Sequence, residues 1–259
     1  MKRRQIQKKN EYKRQQEEMF RKIKVIKPLL EKHKIISLGF NCYVKIMLQK
    51  MKIEQETQFF DWIGSSTWSI RLLLEKHFDN LLQKDNFKYT QSIQKENEYV
   101  WTDEEYYLRF KHDFQQTHFQ KTQNIKDEEL NNVKIKYERR RERLFETLKE
   151  YENNKKTLLF IRLEEDFDKR IYLENHINIE KEDEMKDLLW ISNWIQNQYP
   201  NLIFKIILIS RNSESYQHSD DSHLIILSKK NKTENTIYSV PTMIDILLEN
   251  KDLIDNISI

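Results

Sequence analysis

Glycine is nearly missing from this chain, which has only Gly39 and Gly64 in 259 residues. Two glycines cannot write a G-x-G-x-x-G dinucleotide turn or a G-x-x-x-x-G-K-[ST] phosphate loop, so both common glycine-built nucleotide sites are excluded. Cysteine occurs once, as Cys42. No internal disulfide can form, and a lone thiol fits a reducing, intracellular (cytoplasmic) setting. Long apolar runs are also missing. Leu158–Ile161 and Ile206–Ile209 are far short of the roughly 20 apolar residues that a membrane-spanning helix needs, so no transmembrane segment is expected. The basic stretch from Lys2 leads into no apolar segment, which argues against a secretory signal.

Hydrophobic residues make up 38% of the chain and charged residues 34%. That is less apolar and more charged than an ordinary globular domain. Thirteen Phe, twelve Tyr and five Trp compensate, because each aromatic ring buries a large area. The net charge of +3 is unevenly distributed. Residues 1–32 hold twelve Lys or Arg against four Glu, a balance of +8, which leaves −5 for the remainder. The basic character therefore belongs to an N-terminal arm. Such an arm is expected to be helical or disordered, and to make at most weak contacts with nucleic acid or an anionic surface. Only Tyr12 and Phe20 fall among its charges, too few for a stacking platform.

Periodicity predicts a single α/β domain over 33–259, following the arm at 1–32. Ile35, Ile36 and Leu38 form a short β-prone run closed by Gly39. Val44, Met47, Leu48 and Met51 then recur at helical spacing over 42–51. A second helix is expected over 67–83, and residues 84–126 read as loops with short elements. Leu130, Val133, Tyr137, Leu144 and Leu148 mark a long amphipathic helix over 127–152. The run 157–163 is apolar on both faces up to Arg162, as in a buried parallel strand. A helix over 181–198 and strands at 204–210, 224–228 and 237–240 complete the pattern. Alternating strands and helices imply a mainly parallel sheet flanked by helices, in a Rossmann-like three-layer arrangement.

In a chain so poor in glycine, SLGFNC (37–42) and FFDWIGSS (59–66) each mark backbone that a Cβ would obstruct. Loops leaving the carboxyl ends of parallel strands line the ligand crevice, so Ser37, Gly39 and Asn41 become candidate ligand-binding residues. Cys42 would fall in the first turn of the following helix. The helix dipole and unpaired N–H groups there favour a thiolate, and the same amides could hold a phosphate or oxyanion instead. The plainer alternative is a buried, inert cysteine.

The ordered set SLGFNC, FFDW (59–62), HDF (112–114), YERRRERLF (137–145) and LLFIRL (158–163) resembles a family of uncharacterised domains described as papain-like cysteine peptidases. The resemblance covers roughly residues 34–230. It implies Cys42 as nucleophile and His112 as its base, with Asp113 or Asp61 orienting the imidazole. Trp62 comes with the motif that contains Asp61. The glutamine that usually precedes a papain-type cysteine is replaced here by Ile35, Ile36 and Ser37. The Asn41 side-chain amide and the Cys42 N–H could substitute as oxyanion donors.

Two further arginine positions stand out. Arg143 lies in the cluster with Arg139, Arg140 and Arg141, and Arg162 is a charge inside an apolar strand. Either, pointed toward Cys42, could clamp a carboxylate or phosphate, or lower the thiol pKa. A charge within a strand also calls for a fixed partner, for which Glu164, Glu165 and Asp166 are available. His118 is a second local histidine. In HSDDSH (218–223), Asp220 and His223 have acid–base spacing, but no metal or cofactor is expected from so polar a loop.

Three functions stay open on these residues. The first is a cysteine-dependent hydrolase or acyl transferase acting on a peptide or other acyl compound. The second is a non-catalytic or transferase-like domain binding a phosphate or sugar nucleotide at the Gly39–Cys42 turn. The third is an RNA-binding accessory protein led by the basic arm.

Overall fold

The computed structural model describes residues 2–53, 55–91, 99–114, 125–164, 181–211, 221–229 and 237–257. The chain opens with helix α1 (Lys2–Glu31), strand β1 (Lys34–Ser37), α2 (Tyr43–Lys50) and α3 (Thr67–Glu75). Three short strands follow, β2 (Phe87–Gln91), β3 (Tyr99–Asp103) and β4 (Leu108–Phe110). Then come α4 (Asp127–Asn153), β5 (Thr157–Leu163), α5 (Lys181–Gln198), β6 (Ile203–Ser210) and β7 (Leu224–Ser228), with α6 (Val240–Glu249) and α7 (Lys251–Asp255) last.

The result is a mixed α/β fold whose main sheet has four parallel strands in the order β1-β5-β6-β7. Side chains alternate across it with period two. Ile36, Leu158, Phe160, Phe204, Ile206 and Leu208 pack with residues of α3, α4 and α5. Ile35, Leu159, Ile161, Ile207 and Ile209 pack with residues of α1, α2 and α6. Parallel strands joined by right-handed crossovers place their connecting helices on one face. Here α4 and α5 cover the first face. The second is covered by α2, from the same β1–β5 connection as α4, together with α1 and α6.

That accounts for the inner end of the basic helix. Ile26 and Leu30 are fully buried and Ile23 nearly so, whereas Tyr12 and Phe20 are exposed. Burying a residue of this size contributes about 1.5–3 kcal/mol, enough to hold the last turns of α1 against the sheet through Pro28.

Two expectations need correction. The run 237–240 is not a strand. Ser239 caps α6 by accepting the Thr242 N–H at 3.2 Å, and Pro241 sits at the start of the helix, where its missing N–H costs nothing. The second helix stops at Glu75 instead of continuing to residue 83. Apolar spacing persists to Leu82, but His77, Phe78, Asn80 and Leu82 all adopt positive φ, so Phe78 and Leu82 are buried from an irregular turn. The Asp103 carboxylate ties that turn down by accepting N–H groups from Leu82, Glu105 and Tyr106. Residues 84–126, expected as loops with short elements, contain the small antiparallel sheet β2-β3-β4. A bridge between Gly64 and Arg109 joins it to the loop before α3.

Candidate active site

The loop after β1 is built to turn sharply. Gly39 has φ +72°, and a Cβ there would come within 2.0 Å of Ser65 Oγ. Phe40 follows with φ +70°. The turn is pinned at several points. Ser37 Oγ accepts the Gly39 N–H at 3.2 Å, the Phe40 N–H donates to Ser65 O at 3.1 Å, and Asn41 Oδ1 accepts the Tyr43 N–H at 2.9 Å. Asn41 thereby fixes the start of α2. Cys42 is the helix N-cap, and its carbonyl accepts the first helical N–H, from Ile46, at 2.9 Å.

FFDW supplies the second wall. Phe59 and Phe60 are buried, with Phe59 edge-on to Tyr137 of α4 at 5.4 Å between centroids. Asp61 is buried against Lys45 Nζ at 3.1 Å and accepts the Gln58 N–H at 2.8 Å. Its carboxyl pKa is raised by burial, with Lys45 opposing the shift. Trp62 then turns toward the cavity.

The third wall is β4 and the bend after it. Gly64 and Arg109 exchange both backbone hydrogen bonds at 2.9 Å. The Arg109 guanidinium lies over Gly64, where a Cβ would come within 2.9 Å of Nε and Nη2. Lys111 and His112 follow directly. The His112 ring stands edge-on to Trp62, 5.7 Å between centroids. Asp113 folds back to α4, where it accepts the Tyr137 hydroxyl at 2.9 Å and pairs with Lys136.

These pieces enclose a cavity of about 80 Å³. Phe40, Asn41 and Cys42 line it from the first loop; Trp62, Ile63 and Gly64 from the second; Val100, Arg109, Lys111 and His112 from the small sheet and its bend. Cys42 is half-buried and His112 exposed. Burial raises the thiol pKa above the ordinary cysteine range, and only partial relief comes from the residue's own N–H and from Lys111. Burial thus works against the thiolate that a helix end favours.

A family model described as "Putative papain-like cysteine peptidase" matches residues 33–214, more than half of the chain. The chain belongs to that family. No curated protein and no solved structure matches it.

Among the family-motif residues, Cys42, Asn41, Trp62 and His112 meet at the cavity, and others do not. Arg162 is fully buried and bound internally. Its Nε pairs with Glu184 at 2.9 Å, and its Nη1 donates to Leu38 O at 2.9 Å and Ser65 O at 2.8 Å. The fixed partner of this strand charge is Glu184 of α5, not Glu164; Glu165 and Asp166 lie outside the described residues. Glu164 accepts the Arg211 N–H at 2.6 Å.

Arg143 donates to Thr57 O at 2.6 Å and pairs with Glu56. Arg140 packs over the Tyr137 ring. His223 stacks on Phe204 at 4.3 Å, a packing role, while His118, His218 and Asp220 lie outside the described residues. The cations that do line the cavity are Arg109 and Lys111, which sequence reasoning missed. The signal for Arg109 was Gly64, flagged as a close approach without its partner being known.

Proposed function

We propose that this protein is a cysteine-dependent hydrolase, in which Cys42 attacks a carbonyl carbon and His112 carries the proton. One observation supports the reading above the rest: these two side chains, far apart in sequence, line the same small cavity beneath Trp62. The family description points the same way.

Burial favours the protonated thiol, so attack and proton transfer are coupled. Sγ forms a bond to the carbonyl carbon as its proton passes to the imidazole, and the carbonyl oxygen becomes an oxyanion. The tetrahedral intermediate collapses by breaking the bond to the leaving group, which takes the proton from His112. Water then cleaves the thioester by the same route and restores the thiol. The Cys42 N–H and the Asn41 Nδ2 donor are the groups for the oxyanion, since Asn41 Oδ1 already serves Tyr43.

Both carboxylates suggested by the resemblance are engaged with lysines, and each serves a loop of the site. Asp113 positions His112 by anchoring the bend to Lys136 and Tyr137, and Asp61 holds the FFDW loop to Lys45. Trp62 sets the ring plane of the base. The parallel sheet with helices on both faces supports the Rossmann-like description of the scaffold, and the single free thiol supports an intracellular setting.

The test is hydrolysis of para-nitrophenyl acetate by the full chain. Cys42→Ala should abolish the enzymatic rate, and His112→Ala should lower it by about 10²–10⁴-fold, the usual share of a general base. A Cys42→Ala protein as active as the parent would sink the proposal. Alkylation by neutral iodoacetamide should be slow at pH 7 and climb only at alkaline pH, because burial holds the thiol protonated.

A further inference from the structure

We propose that the substrate of this site carries a carboxylate close to the carbonyl that Cys42 attacks, and that Arg109 and Lys111 select it. The inference rests on the hydrolase reading for the word substrate, but the selection itself is a property of the cavity.

Among the described lining residues, every charged side chain is basic. Arg109 comes from β4, Lys111 and His112 follow in the bend, and the remaining walls include the apolar Phe40, Trp62 and Ile63. Apolar walls lower the local dielectric and strengthen the pull of two cations on an anion. Arg109 is also held in place. Its backbone is bonded to Gly64 on both sides, and its guanidinium rests on the one surface of that loop with no Cβ. A planar guanidinium held this way matches a carboxylate by two parallel hydrogen bonds. Lys111 acts as a point charge near the sulfur and eases deprotonation of Cys42. The cavity admits a short arm ending in a carboxylate.

Because Cys42 is the chain's only cysteine, alkylation reports on this site alone. Iodoacetate and iodoacetamide differ only in charge. In each reaction sulfur displaces iodide, an S–CH2 bond forms and the thiol proton leaves to solvent. The iodoacetate to iodoacetamide rate ratio should be about tenfold higher for the native chain than for the urea-unfolded chain, as a charge-assisted contact predicts. It should fall toward the unfolded value in Arg109→Gln and in Lys111→Gln, and with rising salt. A native ratio no higher than the unfolded one, or one untouched by both substitutions, overturns the inference. Succinate should protect Cys42 from iodoacetamide. Protection by inorganic phosphate with none by succinate overturns the carboxylate assignment.

Hydrolysis of para-nitrophenyl acetate and mono-para-nitrophenyl adipate separates this inference from the reading it rests on. Cys42-dependent cleavage favouring the adipate supports both. Equal cleavage of the two esters overturns the selection alone. Cleavage of neither, with the alkylation ratio intact, sinks the hydrolase and leaves the anion site standing.

Discussion

Arg162 and Arg109 each serve a loop that contains one of the chain's two glycines, and they do opposite work. Arg162 is fully buried, salt-bridged to Glu184, and bonded to the carbonyls of Leu38 and Ser65 on either side of the Gly39 turn. It holds two loops together. Arg109 lies on the face of Gly64 with its guanidinium at the cavity wall. The difference teaches that a charge in an apolar strand marks scaffold when every direction around it is protein. A charge beside a glycine on a short edge strand can instead be presented to a ligand.

The largest test of that contrast is Arg162→Met. Leaving Glu184 buried without its cation should cost about 3–5 kcal/mol, seen as a large fall in Tm. Adding Glu184→Leu should recover much of it, because the unpaired charge goes too. A single variant within 1 kcal/mol of the parent would show that Arg162 is no bolt.

Gly39→Ala comes next. It forces a side chain into the left-handed region and against Ser65 Oγ, and should cost about 2–3 kcal/mol in urea unfolding. Gly64→Ala meets only the far end of a flexible side chain, which can move aside. Its stability cost should stay below about 1 kcal/mol while the iodoacetate preference of Cys42 falls. If Gly64→Ala unfolded the protein as readily as Gly39→Ala, the two glycines would be equivalent and the contrast lost. Arg109→Gln should lower the iodoacetate preference of Cys42 while costing less stability than Gly39→Ala by the same measurement.

Much of the fold was legible in advance. The buried strand at 157–163, the long helix over Asp127–Asn153 and the strand–loop–helix around SLGFNC each carry a local period or an obligatory glycine. The small sheet β2-β3-β4 was not legible, because Trp101, Leu108 and Phe110 are buried by partners such as Phe87, Phe114 and Tyr137 rather than by a pattern of their own. The helix ending at Glu75 was overrun for the related reason that a turn can bury Phe78 and Leu82 as well as a helix can.

At the site, Cys42 and His112 were nameable from their motifs, while Arg109 and Lys111 were not. A cation on a short strand looks like any solvated charge until its neighbour across the bridge is known.

Sequence by itself determined where the backbone must turn without a Cβ, which runs are apolar at strand or helix period, and that one thiol alone is available for chemistry. Those are local properties of consecutive residues. Tertiary structure alone decided which arginine lines the cavity with the thiol, which carboxylates are taken by lysines, and in which direction burial moves that thiol's pKa. Each of these depends on burial and on charges brought from distant segments, and desolvation and Coulomb forces act through space rather than along the chain.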